Sequence, residues 1–142
     1  MTKREQIIQA LFKTLDNIKE QEKFILFRNK EIELELETEQ KLVNITDGTA
    51  EVIDTVLSPR VDTIEQTINI ELYLQDSEDY DINTELDNFE ETISNTIKND
   101  DQLKTLIRTL EISYSQTEIL EPDNGTQIKK SYFDVVVVFD NF

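Results

Sequence analysis

Residues 63–99 constrain the fold more than any other part of this chain. In their first half, Ile68, Ile70, Leu72 and Leu74 alternate with Asn69, Glu71 and Tyr73. A period of two is the mark of a half-buried strand. In their second half, Ile82, Leu86, Phe89, Ile93 and Ile97 recur at steps of four, three, four and four. That spacing lines one face of an amphipathic helix. Between Arg60 and Lys98 there is no Lys or Arg, while Asp62, Glu65, Glu71, Asp76, Glu78, Asp79, Asp81, Glu85, Asp87, Glu90 and Glu91 all fall inside the interval. One strand–helix unit therefore carries both a core face and a strongly negative outer face.

The rest of the chain is read around that unit. Thr2 can cap a first helix, with Glu5 completing a capping box and Ile7, Ile8, Leu11, Leu15 and Ile18 on one face. The helix should fade over residues 19–23. Residues 24–27, all apolar, read as a buried strand ending at Arg28 and Asn29. An alternation of acids with Ile32, Leu34 and Leu36 reads as a further strand. Residues 42–45 read as a strand ending in a turn at Asp47-Gly48, with 51–57 pairing back as a hairpin and Ser58-Pro59 breaking it. Asp79 or Asp81 can cap the long helix, since acids favour the positive end of the helix dipole. Leu103, Leu106 and Ile107 mark a short turn running into a strand over 110–115, and 122–125 a loop tip. Residues 131–139 close the chain as a strand, and the unbroken run 135–138 of valines predicts burial on both faces.

This order predicts an α+β fold: a single mixed, mostly antiparallel sheet with two amphipathic helices on one face. Ile7, Leu11, Leu15, Leu86, Phe89 and Ile93 should pack against Ile70, Leu72, Val135 and Val137 in one core. At 142 residues the chain reads as a single domain, 1–142, long enough to bury a core without a staple.

Composition narrows the function classes. The chain has no Cys and no His, which removes thiolate metal sites, disulfides and the commonest catalytic base. Only two glycines leave no room for a Gly-rich phosphate loop. A formal net charge of −17 repels nucleic acid and anionic membrane surfaces. No apolar run approaches the roughly 18–20 residues that span a bilayer. The N-terminus leads into a helix pattern and not into a signal-peptide core, so the chain is expected to stay in the cytosol where it is made. Asp79, Asp81, Asn83, Glu85, Asp87 and Glu90 match the ligand spacing of a calcium-binding EF-hand loop. Thr84, however, stands where the sharp turn needs Gly, and the helical stripe already begins at Ile82, so a solvated helix start is the better reading. No cofactor or metal is expected. Tyr73, Tyr114 and Tyr132 read as strand packing residues.

The element order resembles the tail-terminator, or tail-completion, proteins of long-tailed bacteriophages and prophages, of the minor-tail-protein-U type. The resemblance rests on a first helix like residues 4–11, a strand ending like Phe27-Arg28-Asn29 and a strand ending in Asp47-Gly48. It continues with a strand like 67–74 leading into a helix spaced like Leu86, Phe89, Ile93 and Ile97, the segment from Asp101 to Ile112, and a last strand like 133–138. Leu103-Lys104-Thr105 stands where that family often has a Gly-rich turn. The resemblance implies a non-catalytic virion protein, present in the host cytoplasm during assembly and then in the virion tail. It would form a homohexameric ring seated on the tail-tube protein, stop tube growth and offer the surface that meets a head-completion or connector protein. DNA would pass through without being bound, and no membrane is involved.

On that reading Arg28, Asn29, Arg60 and Asp62 are expected ring or tube contacts, and residues 38–41, 57–62 and 121–128 the projecting connections. Asp76, Glu78, Asp79, Asp81 and Glu85 are expected to form an acidic surface. A reading of a different class remains open: a small acidic inhibitor, such as an immunity protein or DNA mimic, blocking a basic active site through its acid-only interval.

Overall fold

In the computed structural model, residues 1–31, 41–77, 80–120 and 127–141 are described. They build one open sheet of six strands, covered on one face by helices. In chain order the elements are α1 (Lys3–Asp16), α2 (Lys19–Glu22), β1 (Ile25–Arg28), β2 (Lys41–Leu57), β3 (Arg60–Gln75), α3 (Ile82–Lys98), α4 (Asp101–Leu106), β4 (Thr109–Ile112), β5 (Gln116–Leu120) and β6 (Ile128–Asn141). The strand order is β1-β2-β3-β6-β4, with β5 also on β6. Only β1 runs parallel to its neighbour; every other pairing is antiparallel. This is the α+β architecture that the sequence predicts, with a mixed, mostly antiparallel sheet.

Local chemistry explains the long helices. Thr2 caps α1 by accepting the Glu5 backbone N–H at 3.1 Å. The Glu5 carboxylate turns away to Arg28, so the expected capping box is completed on one side only. Asp81 caps α3 through the Asn83 backbone N–H at 3.2 Å, and Asp100 caps α4 through Gln102 at 3.1 Å. Because α3 begins at Ile82, Asn83, Glu85, Asp87 and Glu90 ride on a helix and not on a cation-wrapping loop.

The core lies between the helices and one face of the sheet. Ile7, Ile8, Leu11 and Leu15 of α1, Phe89, Ile93 and Ile97 of α3, and Leu103 of α4 pack with Val43, Ile45, Ile68, Ile70, Leu72, Phe133, Val135 and Val137. Leu86 is buried as well. Phe24 meets Phe89 with ring centroids 5.7 Å apart. Gln66 interrupts this apolar face: it is fully buried, and neither amide atom has a hydrogen-bond partner among the described residues.

Four expectations need correction. First, Asp47-Gly48 is no turn. β2 runs straight through it, and between the pairs Asp47–Ile68 and Ala50–Gln66 two residues, Gly48 and Thr49, stand opposite Thr67 alone. This is a β-bulge, and a Cβ on Gly48 would lie 2.0 Å from the Thr67 carbonyl oxygen. The hairpin turns instead at Ser58-Pro59, whose peptide bond is cis. Second, Val135 and Val137 are fully buried, but Val136 and Val138 are only partly covered, because the described helices pack on the face of Val135 and Val137. Third, the strand expected over 110–115 ends at Ile112, and β5 follows as a strand that the sequence pattern did not mark. Fourth, Tyr114 is not a strand packing residue; it sits in the connection between β4 and β5 and is 99% exposed. The expected strand around Ile32, Leu34 and Leu36 and the loop tip at 122–125 fall outside the described residues.

Candidate functional site

The β2–β3 hairpin divides into a buried base and an exposed arm. β1 pairs with β2 only as far as Ile45, and from Thr49 to Leu57 every residue of β2 is exposed. The arm nevertheless carries Val52, Ile53, Val56 and Leu57, the last of them 79% exposed. A strand whose outer edge is unpaired among the described residues, with apolar side chains half or more exposed, is a ready template for another protein surface. At the tip, Leu57 stands directly opposite Arg60, and Val56 opposite Val61. The expected contact Arg60 therefore lies beside an exposed leucine. Its side chain is 70% exposed; Nε and Nη2 reach Asp62 at 3.3 and 3.5 Å, and Nη1 makes no hydrogen bond among the described residues. Asp62, also an expected contact, accepts the Thr55 hydroxyl at 3.0 Å as well, and its side chain is only 20% exposed.

Arg28 and Asn29 occupy a different setting. The Arg28 guanidinium binds Glu5 through Nη1 and Nη2 at 2.7 and 2.8 Å, and Asp47 through Nε and Nη2 at 3.0 and 2.8 Å. The hydrogen bond from Arg28 holds both carboxyls below their usual range, and the two carboxylates raise the pKa of Arg28. Asn29, at φ 53°, accepts the Asp47 backbone N–H at 2.7 Å and donates its own to Ile45 at 2.8 Å. These two residues thus clamp α1, β1 and β2 together just where the bulge begins.

The acidic residues are spread over more than one surface. Asp76 is exposed past the end of β3, and Asp81 is exposed at the start of α3, where it caps the helix. Glu85 is paired with Lys41 at 2.8 Å and ties α3 to β2. Glu78 and Asp79 lie outside the described residues. Two acids that the site reading passed over, Asp87 and Glu91, are exposed on α3 and make no ion pair among the described residues. Together with Glu90 they rim a groove of about 390 Å³ between α3 and the β4–β5 connection. Its apolar lining comes from Ile112 and Phe133, and Tyr114 stands on its wall. Lys98 lies at the C-terminal end of the helix edge. Glu90 accepts the Ser115 hydroxyl at 2.8 Å and that of the buried Ser131.

On the sheet face away from the helices, Glu71 is the hub of a polar cluster. It accepts from Asn44 Nδ2 at 3.0 Å, Thr46 Oγ1 at 3.3 Å and the Tyr73 hydroxyl at 3.0 Å, and pairs with Lys130 at 2.7 Å. Burial pushes the Glu71 carboxyl up, but Lys130 and these donors outweigh it, and the pKa lies below the ordinary value. Burial, with the Glu71 charge beside it, pushes the Tyr73 phenol up to about 12. A hub of this kind braces a sheet, since four side chains from three strands converge on one carboxylate.

Among the described residues no group of three or more acidic side chains is arranged to hold a metal ion, and no helix is long and apolar enough to cross a membrane. The missed features, the apolar arm and the groove, leave little trace in the sequence: Val52 to Leu57 reads like any strand, and only the absence of a covering layer makes it a surface. No family model matches the chain, and a search of curated proteins finds no match either.

Proposed function

We propose that this chain is a non-catalytic structural protein of the tail-terminator type. It assembles as a homohexameric ring on the last ring of tail-tube protein, ends tube growth and offers its other side to a head-completion or connector protein. It acts in the host cytoplasm during assembly and remains in the virion tail. The observation that carries this reading is the arm: a helix-covered sheet extends a hairpin whose apolar side chains stay half or more exposed. Such a surface suits a protein completed by copies of itself or by a stacked ring. The charge of −17 suits a ring through which DNA passes without adhering.

The acidic-inhibitor reading draws on Asp81, Asp87 and Glu91, exposed along one helix. It leaves the apolar arm without a purpose, since a basic active site would be met by acids.

Light scattering and electron microscopy of the purified protein across a salt series test the proposal. Subunits of like charge repel, and the Debye length falls from roughly 30 Å at 0.01 M to roughly 8 Å at 0.15 M ionic strength. Rings should therefore be favoured by added salt or by tail-tube protein. A particle that never exceeds a dimer, even with tube protein present, would sink the terminator reading in favour of the inhibitor.

A further inference from the structure

Resting on that self-assembly reading, we infer that the tip of the arm docks into the groove between α3 and the β4–β5 connection of a second copy of this chain. The two surfaces are complementary in kind. The tip offers Leu57 and Arg60 side by side on adjacent strands, an apolar group next to a cation. The groove offers Ile112 and Tyr114, with the buried Phe133 beneath them, beside the carboxylates of Asp87, Glu90 and Glu91 and, at one end, Lys98. Leu57 covers the apolar lining and Tyr114, while the guanidinium reaches Asp87 and Glu91, neither of which has an ion-pair partner among the described residues of its own subunit. An arginine suits this place because its planar fork can bind a carboxylate while its stem lies on apolar surface.

A second copy fits better than an unrelated partner for two reasons. Arg60 is the cation at the tip of a chain of charge −17; Asp62 takes its Nε and Nη2, which leaves Nη1 without a hydrogen bond among the described residues, and the chain's own acidic rim is a surface that can take it. The arm and the groove also lie at different edges. The arm belongs to β2 and β3, and the groove to β4, which β6 separates from β3. Tip and groove on one subunit are thus different patches, which permits a head-to-tail, heterologous contact; a reciprocal exchange of arms would instead give a closed dimer and no ladder of cross-linked oligomers. Repeated head to tail, a heterologous contact closes into a ring or runs on as a filament, and it leaves no subunit's arm unfilled in the closed form.

The chain has no cysteine, which gives a clean test. One variant carries Leu57→Cys and another Tyr114→Cys, both at exposed positions. Mixed and mildly oxidised under assembling salt conditions, they should give a covalent heterodimer, and a chain carrying both changes should give a ladder of oligomers. Adding Arg60→Glu to the Leu57→Cys variant should cut heterodimer formation about tenfold or more, through like-charge repulsion at the rim. Glu91→Lys on the Tyr114→Cys variant should restore it. Circular dichroism of each variant checks that the fold is intact. Rings seen by electron microscopy without the 57–114 cross-link would overturn this contact and leave the terminator reading standing. So would efficient homodimers of the Leu57→Cys variant alone, which would mean that arms pair with arms. A 57–114 ladder in particles that never cap tail tubes would keep the contact and overturn the terminator reading.

Discussion

The two halves of β2 make an instructive pair. Both are rich in aliphatic side chains. Leu42, Val43 and Ile45 are buried, whereas Val52, Ile53, Val56 and Leu57 are exposed, on the same strand and within a few residues. The first half has β1 at its edge, α1 and α3 over Val43 and Ile45, and Tyr73 and Ile128 packed with Leu42 on the other face; among the described residues the second half has none of these. Burial here is a property of what lies over a strand and not of the strand's own composition. The bulge at Gly48 and Thr49 and the Arg28 clamp mark the boundary between the two regimes.

The largest test of this contrast lies in the covered half. Phe89→Ala removes the ring that packs on Phe24 and leaves a cavity under α3, so it should cost about 3–5 kcal/mol of stability. A melting temperature unchanged within error would mean that the helix does not depend on that layer.

At the boundary, Gly48→Ala brings a Cβ against the Thr67 carbonyl, a backbone atom with no rotamer to move. Displacement of the strands should cost about 1–3 kcal/mol, as overpacking does. Hydrogen exchange at residues 46–50 and 66–68 should speed up in this variant. Uniform protection would show that the bulge absorbs the methyl group.

The polar face of the base offers a pH test. Because the folded-state pKa of Glu71 is lowered, its stabilising contribution is complete above the ordinary glutamate value near 4.5 and is lost as pH falls through the folded value. Glu71→Gln should therefore lower stability at neutral pH by about 1.5–3 kcal/mol, the scale of hydrogen bonds to charged groups. It should also flatten the acid-side fall below pH 4.5. Parallel stability–pH curves for the two proteins would contradict the role of the hub.

The smallest expected effect on folding is in the arm. Leu57→Ser removes no buried contact within the subunit, so stability should change by less than about 0.5 kcal/mol. Sedimentation should nonetheless show weaker self-association. A loss of stability as large as that of a core residue would mean that the arm folds back on its own subunit, and the contrast between the two halves would collapse.

Much of the fold could be read from spacing. The alternation in β3 and the stripe of α3 sit where their periods place them, and the caps at Thr2 and Asp81 follow from side-chain chemistry that acts over three residues. The site was harder to read. Arg60 fell on the exposed tip, but Arg28 and Asn29, which share the same kind of turn-end sequence, are engaged within the subunit, because Glu5 and Asp47 arrive beside them from other elements. Asp47-Gly48 reads as a turn by local chemistry, yet the neighbouring strand makes it a bulge.

The sequence by itself determined the periodicities, the caps, the cation-free interval and the charge, since each depends on neighbours a few bonds or one helical turn away. The tertiary structure alone decided which aliphatic residues lie under a helix and which stand on the arm, and which acids pair with a lysine and which rim a groove. It also decided that a glycine should let two strands pass closely. Those outcomes depend on groups far apart in the chain, brought together only when the sheet closes its pairings and the helices settle on one of its two faces.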